Sequence, residues 1–182
     1  MTETEWAICT KPEVMRQFLR GKSSERKNML FLTSSCYLAT LVLRWTWPRT
    51  FIEVGERIAD GLASTDEITS ANMAGLLCDK IPLLLGREGR SLHAEQAKFL
   101  RCIYGNPFRP VKADPLWLTW NDSTIPQLAR TIYEERDFDL LPILADALED
   151  AGCTDAEMLA HCRGPRPHVR GCWVVDLLLG KR

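Results

Sequence analysis

Apolar side chains recur along this chain at helical spacing. Ile125, Leu128, Ala129, Ile132 and Tyr133 follow i, i+3, i+4, i+7 and i+8 and therefore share one helix face. Leu141, Leu144, Ala145 and Leu148 repeat the pattern, and Gly152 predicts where that helix ends. Leu30, Tyr37, Leu41 and Trp45 line one face of an earlier segment, while Phe31, Leu38 and Val42 line another. A helix apolar most of the way round belongs in the middle of a bundle. Phe51, Ile52, Ile58 and Leu62 mark a helix closing near Gly61; Leu76 with Leu77, then Phe99, Leu100 and Ile103, mark two more. The best strand candidate, Trp173-Val174-Val175, runs on into Asp176-Leu177-Leu178-Leu179 more easily as a helix. No sustained alternation of period two appears. The pattern predicts an all-α protein, one multi-helix bundle spanning residues 1–182 as a single domain, with about seven to nine helices.

Start signals agree with this. Thr2/Glu5, Thr10/Glu13, Ser64/Glu67 and Thr154/Glu157 all have capping-box spacing, in which a hydroxyl and a carboxylate satisfy early backbone N–H groups reciprocally. Pro12 and Pro126 are placed for a first helical turn, where a missing N–H is tolerated. Two stretches break the pattern. Gly86-Arg87-Glu88-Gly89-Arg90 predicts a charged loop hinged on glycine. Pro107, Pro110 and Pro115 forbid a regular helix from Gly105 onward, while Phe108, Trp117 and Trp120 give the segment surface to bury. We expect an ordered Pro/Trp-rich loop packed across the bundle.

Composition adds exclusions. Lys plus Arg (23) nearly cancels Asp plus Glu (24), which argues against nucleic acid as a partner and against a charge-driven disordered chain. The longest uncharged run, Asn28–Leu43, makes a helix of about 24 Å against a hydrocarbon core of about 30 Å, and it carries Thr33, Ser34, Ser35 and Thr40. It reads as a buried helix, with no membrane role. Glu3 and Glu5 precede any basic residue, so no export signal opens the chain, and a cytoplasmic location with reduced thiols is expected. The seven cysteines then read first as small buried hydrophobes.

Chemistry concentrates near the C-terminus, where Cys153, His161, Cys162, His168 and Cys172 crowd together. Zinc takes thiolate and imidazole ligands, and His168-x3-Cys172 is the nearest match to its usual spacing. His161 and Cys162 are adjacent, about 100° apart on a helix, so both do not readily reach one ion. The competing reading packs the thiols in the core and leaves no metal or other cofactor. Cys172 follows Gly171 at a predicted helix start beside Arg170 and His168, surroundings that lower a thiol pKa, but it lacks a family-type catalytic signature. Asp176, flanked by apolar residues, is expected to be partly buried and paired with Arg163, Arg166, Arg170 or His168. His93-Ala94-Glu95 spells the H-x-E of zinc deaminases without the Pro-Cys-x-x-Cys that completes their site, and Ser24-x-x-Lys27 reads as a helix cap. No phosphate-binding loop, dinucleotide fingerprint or H-E-x-x-H is present.

The runs Leu141–Cys153, His161–Pro165 and His168–Gly180 resemble the ending of a protein family from planctomycete bacteria. Glu5-Trp6, Cys9-Thr10, Phe18-Leu19 and Gly21-Lys22 with Arg26-Lys27 are similar to its start, and Gly105–Pro110 with Trp117–Trp120 to its middle. Where relatives carry paired cysteines and basic residues, this chain has Ser35-Cys36-Tyr37-Leu38. The resemblance implies a bacterial protein and brings no activity, cofactor or catalytic residue with it.

The stretch 134–157 holds nine acidic residues against one arginine, a net charge of −8, and is the candidate docking face for a protein partner. The sequence thus favours a non-catalytic interaction or accessory module over an enzyme. Its rival is a small metal- or thiol-dependent protein built on the C-terminal Cys/His group, with zinc as its cofactor.

Overall fold

The computed structural model describes residues 1–43, 49–69, 86–165 and 167–181. Their helices are α1 (Glu3–Ile8), α2 (Pro12–Leu19), α3 (Glu25–Leu43), α4 (Arg49–Ala59), α5 (Gly86–Tyr104), α6 (Pro115–Glu135), α7 (Leu141–Asp150), α8 (Ala156–Arg163) and α9 (Trp173–Leu178). A 3-10 turn over Phe138–Leu140 leads into α7, and residues 65–69 are helical as well. No strand occurs among the described residues, so the all-α expectation holds. Nor is any described helix long and apolar enough to cross a membrane. Trp45, Leu76, Leu77 and Cys78 lie outside the described residues.

Two apolar clusters organise the packing. One gathers Trp6, Met15, Leu19, Leu30, Phe31, Phe99, Leu100 and Ile103 from α1, α2, α3 and α5. The other gathers the predicted faces of α6 and α7 with Met158, Cys162 and Val174–Val175 from α8 and α9. α5 borders both: Phe99, Leu100 and Ile103 face the first cluster while Cys102 faces the second. Val169 packs against both as well, so the segment before α9 lies at their junction.

Local signals explain most boundaries. Thr2 and Glu5 form a capping box, and Ser64 and Glu67 exchange the same pair of bonds. The other two predicted boxes do not form. With Pro12 at the first turn, α2 is entered from Lys11 with no side-chain cap. At α8, Asp155 takes the cap position, accepting from the Met158 N–H at 2.8 Å. Inside α3, Thr33, Ser34 and Thr40 each return a hydroxyl to a backbone carbonyl four residues earlier, which is how they enter an apolar environment.

The predicted loop at Gly86–Arg90 is instead the first turn of α5. A glycine costs little there, because the opening N–H groups of a helix have no intrahelical acceptor to lose. The Pro/Trp-rich break is shorter than expected: residues 105–114 are non-helical, and Trp117 and Trp120 already belong to α6. α6 is itself interrupted where Asn121, Asp122 and Ser123 turn left-handed (φ 44°, 53° and 63°), and Pro126 sits in the turn that resumes it. The crossing is ordered by its contacts. The Trp6 indole donates to the Gly105 carbonyl at 3.0 Å, and Phe108 stacks on Phe18 with ring centroids 5.1 Å apart.

Candidate metal centre

Four side chains from four parts of the chain meet at that junction. Cys102 points from the C-terminal part of α5, His161 from the last turn of α8, His168 from the connection that follows, and Cys172 from the cap position of α9. Their donor atoms all lie within 4.8 Å of one another. His161 Nε2 is 3.2 Å from Cys172 Sγ, and His168 Nδ1 is 3.9 Å from Cys102 Sγ. In a tetrahedral zinc site, bonds of about 2.0–2.3 Å put donor atoms about 3.3–3.8 Å apart. A pair at the 4.8 Å limit therefore needs to close by about 1–1.5 Å to hold an ion.

Three of the five residues singled out near the C-terminus belong to this group: His161, His168 and Cys172. Cys153 and Cys162 do not. Cys162, next to His161 on α8 and about 100° round the helix from it, is buried in the second apolar cluster outside the four-donor group. Cys153 is buried against Met158, with sulfur atoms 3.9 Å apart. Burial raises the pKa of both thiols, which marks them as unreactive packing residues. The fourth member, Cys102, is the residue that reading the C-terminal spacing missed. It precedes His161 by more than fifty positions, and only the fold brings them together. Its one sequence signal was a thiol on the same helix as Phe99, Leu100 and Ile103. A further departure is Cys36, which is buried and disulfide-bonded rather than a free packing thiol.

Burial and mutual hydrogen bonding drive the two thiols in opposite directions. Cys102 is pushed well above the ordinary thiol range by its hydrogen bond to Cys172 and by burial. Cys172 moves the opposite way. Burial opposes its ionisation, but hydrogen bonds from Cys102, His161 and His168, with the charge of His161, draw its pKa well below the usual value. His168 Nε2 is buried without a hydrogen-bond partner among the described residues, so protein atoms do not offset its desolvation. The rings are held by aromatic neighbours: His161 lies 5.6 Å from Trp173, and His168 stacks 6.3 Å from Phe138.

A buried ionic network braces the same segment. Asp176, one turn beyond Cys172, is 1% exposed, and its partner among the described residues is not Arg163, Arg170 or His168; Arg166 lies outside the described residues. The partner is Arg26, which binds both carboxylate oxygens. Arg163 instead pairs with Asp146 and Glu149, each at 2.6 Å, and Arg170 reaches Asp60 at 2.9 Å and Glu56 at 3.4 Å. Asp60 also accepts from Tyr133, whose ring carries the Arg170 guanidinium at 4.3 Å.

The remaining sequence candidates have ordinary roles. Ser24 caps α3, its hydroxyl accepting from the Lys27 N–H at 3.3 Å. Glu95 pairs with Lys98, and His93 is half-buried away from the cluster. Within the acidic stretch, Asp146 and Glu149 are neutralised by Arg163, and Asp137 and Asp155 serve as caps. Comparison with known proteins finds no matching family model, curated sequence or solved structure.

Proposed function

We propose that this chain is a zinc-binding helical protein whose ion is held by Cys102, His161, His168 and Cys172 and fastens its two apolar clusters together. The observation that carries this reading is the convergence of four soft and imidazole donors within 4.8 Å. Two sulfurs and two ring nitrogens in that arrangement are a zinc donor set, where calcium or magnesium would require oxygens. Four protein ligands fill a tetrahedral shell and leave no position for substrate or water, so the ion's role is structural. A structural ion agrees with a non-catalytic accessory protein. It also has something to fasten, because Cys102 belongs to a helix shared by both clusters while the other ligands lie beyond α7.

The test is metal analysis of protein purified without chelator. About one zinc per chain is expected, lost in Cys102→Ala and in His161→Ala and retained in Cys153→Ala and Cys162→Ala. Removal of the ion by a chelator should lower the melting temperature, and zinc should restore it. Wild-type protein that carries no zinc and shows no thermal response to added zinc would overturn the reading.

A further inference from the structure

A cleft of about 420 Å³ lies between the start of α3, the 105–114 crossing and α9. Its walls carry four cations, Lys22, Lys27, Arg109 and Lys181, against the two carboxylates Glu157 and Asp176. Arg26 takes the two oxygens of Asp176, and Glu157 accepts from the neutral amide of Asn106, another wall residue, at 3.2 Å. Two of the cations are engaged as well, Arg109 with Glu3 at 2.8 Å and Lys181 with Asp60 at 3.5 Å.

Lys22 and Lys27 differ. Neither has a carboxylate partner among the described residues; their ammonium groups rest on aromatic rings, Lys22 3.8 Å from the centre of Phe18 and Lys27 5.2 Å from that of Tyr104. Lys27 is half-buried, and its desolvation lowers its pKa. Holding an ammonium partly out of water with no carboxylate in ion-pair contact is unfavourable, the charge of Asp176 offsets only part of that cost, and an anion entering the cleft relieves it. The same wall is the N-terminal end of the 19-residue α3, whose dipole and opening N–H groups also favour negative charge. Opposite lie apolar surfaces from Pro107, Val111, Trp173 and Leu177.

The geometry points to this cleft as a binding site for a small organic phosphate ester, with the phosphate against Lys22 and Lys27 and the organic body against Trp173 and the crossing. Two unpaired cations beside a helix N-terminus match a dianion better than a single carboxylate. An open cleft of this size suits a small molecule rather than a nucleic-acid strand, which needs a longer basic track.

Phenyl phosphate and inorganic phosphate serve as probes, titrated calorimetrically into the full chain. Saturable 1:1 binding of phenyl phosphate is expected, several-fold tighter than inorganic phosphate. It should weaken about tenfold or more in Lys27→Gln and in Lys22→Gln, each checked for native circular dichroism, and stay unchanged in Lys98→Gln. Because Lys22 is exposed, its variant carries the test if Lys27→Gln fails to fold. Absence of saturation by about 10 mM, equal affinity for the two probes, or binding indifferent to both lysine variants would each overturn the assignment.

Discussion

Arg26 grips Asp176 through two parallel hydrogen bonds, Nη1 to Oδ2 at 2.6 Å and Nη2 to Oδ1 at 3.0 Å, across 150 positions of sequence. The pair ties the first turn of α3 to the last helix, one turn beyond Cys172. Both side chains are nearly enclosed, 12% and 2% exposed, so neither can recover solvation if the other is lost. Arg26→Met should therefore cost about 3–5 kcal/mol, the cost of stranding a buried charge. Replacing both, as Arg26→Met with Asp176→Leu, should recover much of that loss, because the desolvation of two charges disappears with them. Urea unfolding of the two single variants and the double variant checks this; additive losses would show that the pair is not coupled.

The same pair shows where sequence reading stops. Helix existence was legible because burial repeats at fixed spacing. Leu141, Leu144, Ala145 and Leu148, chosen on spacing alone, are all fully buried. The choice of helix for Trp173–Leu178 also held, since Leu177 and Leu178 extend the apolar run past what an isolated strand needs. Long-range partners leave no such periodic trace. Asp176 was recognisable as a buried carboxylate needing a cation, yet four nearer cations competed for it and only packing selects Arg26. Cys102 was hidden for the same reason. His161, His168 and Cys172 lie within a dozen residues of one another, whereas their fourth partner arrives on α5, a helix more than fifty positions earlier that borders both clusters. Cap positions failed by one residue where Asp155 competes with Thr154 for the same helix start.

Asp60 should give the stability an acid-side dependence. Its carboxylate accepts from Tyr133 at 2.6 and 2.7 Å, from Arg170 at 2.9 Å and from Arg26 at 3.2 Å. Burial alone would raise its pKa, but the hydrogen bonds from Tyr133 and Arg170 outweigh it and hold the folded value below the ordinary 3.8. The unfolded chain therefore binds this proton at higher pH than the native one. The stabilisation is complete above the unfolded value and is lost as pH falls through the lower, folded one. Asp60→Asn should be about 2 kcal/mol less stable at neutral pH, and its disadvantage should shrink in acid. Denaturation midpoints over a pH series check this, and parallel curves for wild type and variant would contradict it.

Gly171 lies between two proposed metal ligands and should tolerate no side chain. Its φ is +88°, and a Cβ there would stand 2.7 Å from Leu30 Cδ1 and 3.4 Å from Leu30 Cβ, in the first apolar cluster. Gly171→Ala adds this steric conflict to the left-handed backbone cost, for an expected loss of about 2–3 kcal/mol. Relief requires moving either Leu30 or the turn that presents His168 and Cys172, so zinc affinity should fall with stability. Gly152 supplies the comparison: its φ is also +88°, but a Cβ there meets nothing within 4 Å. Gly152→Ala should therefore cost only the backbone component, about 1 kcal/mol, and leave zinc binding unchanged. Urea unfolding and competition against a zinc chelator separate the two variants. Equal losses, with zinc affinity intact in both, would mean that the contact with Leu30 does not set the position of Cys172.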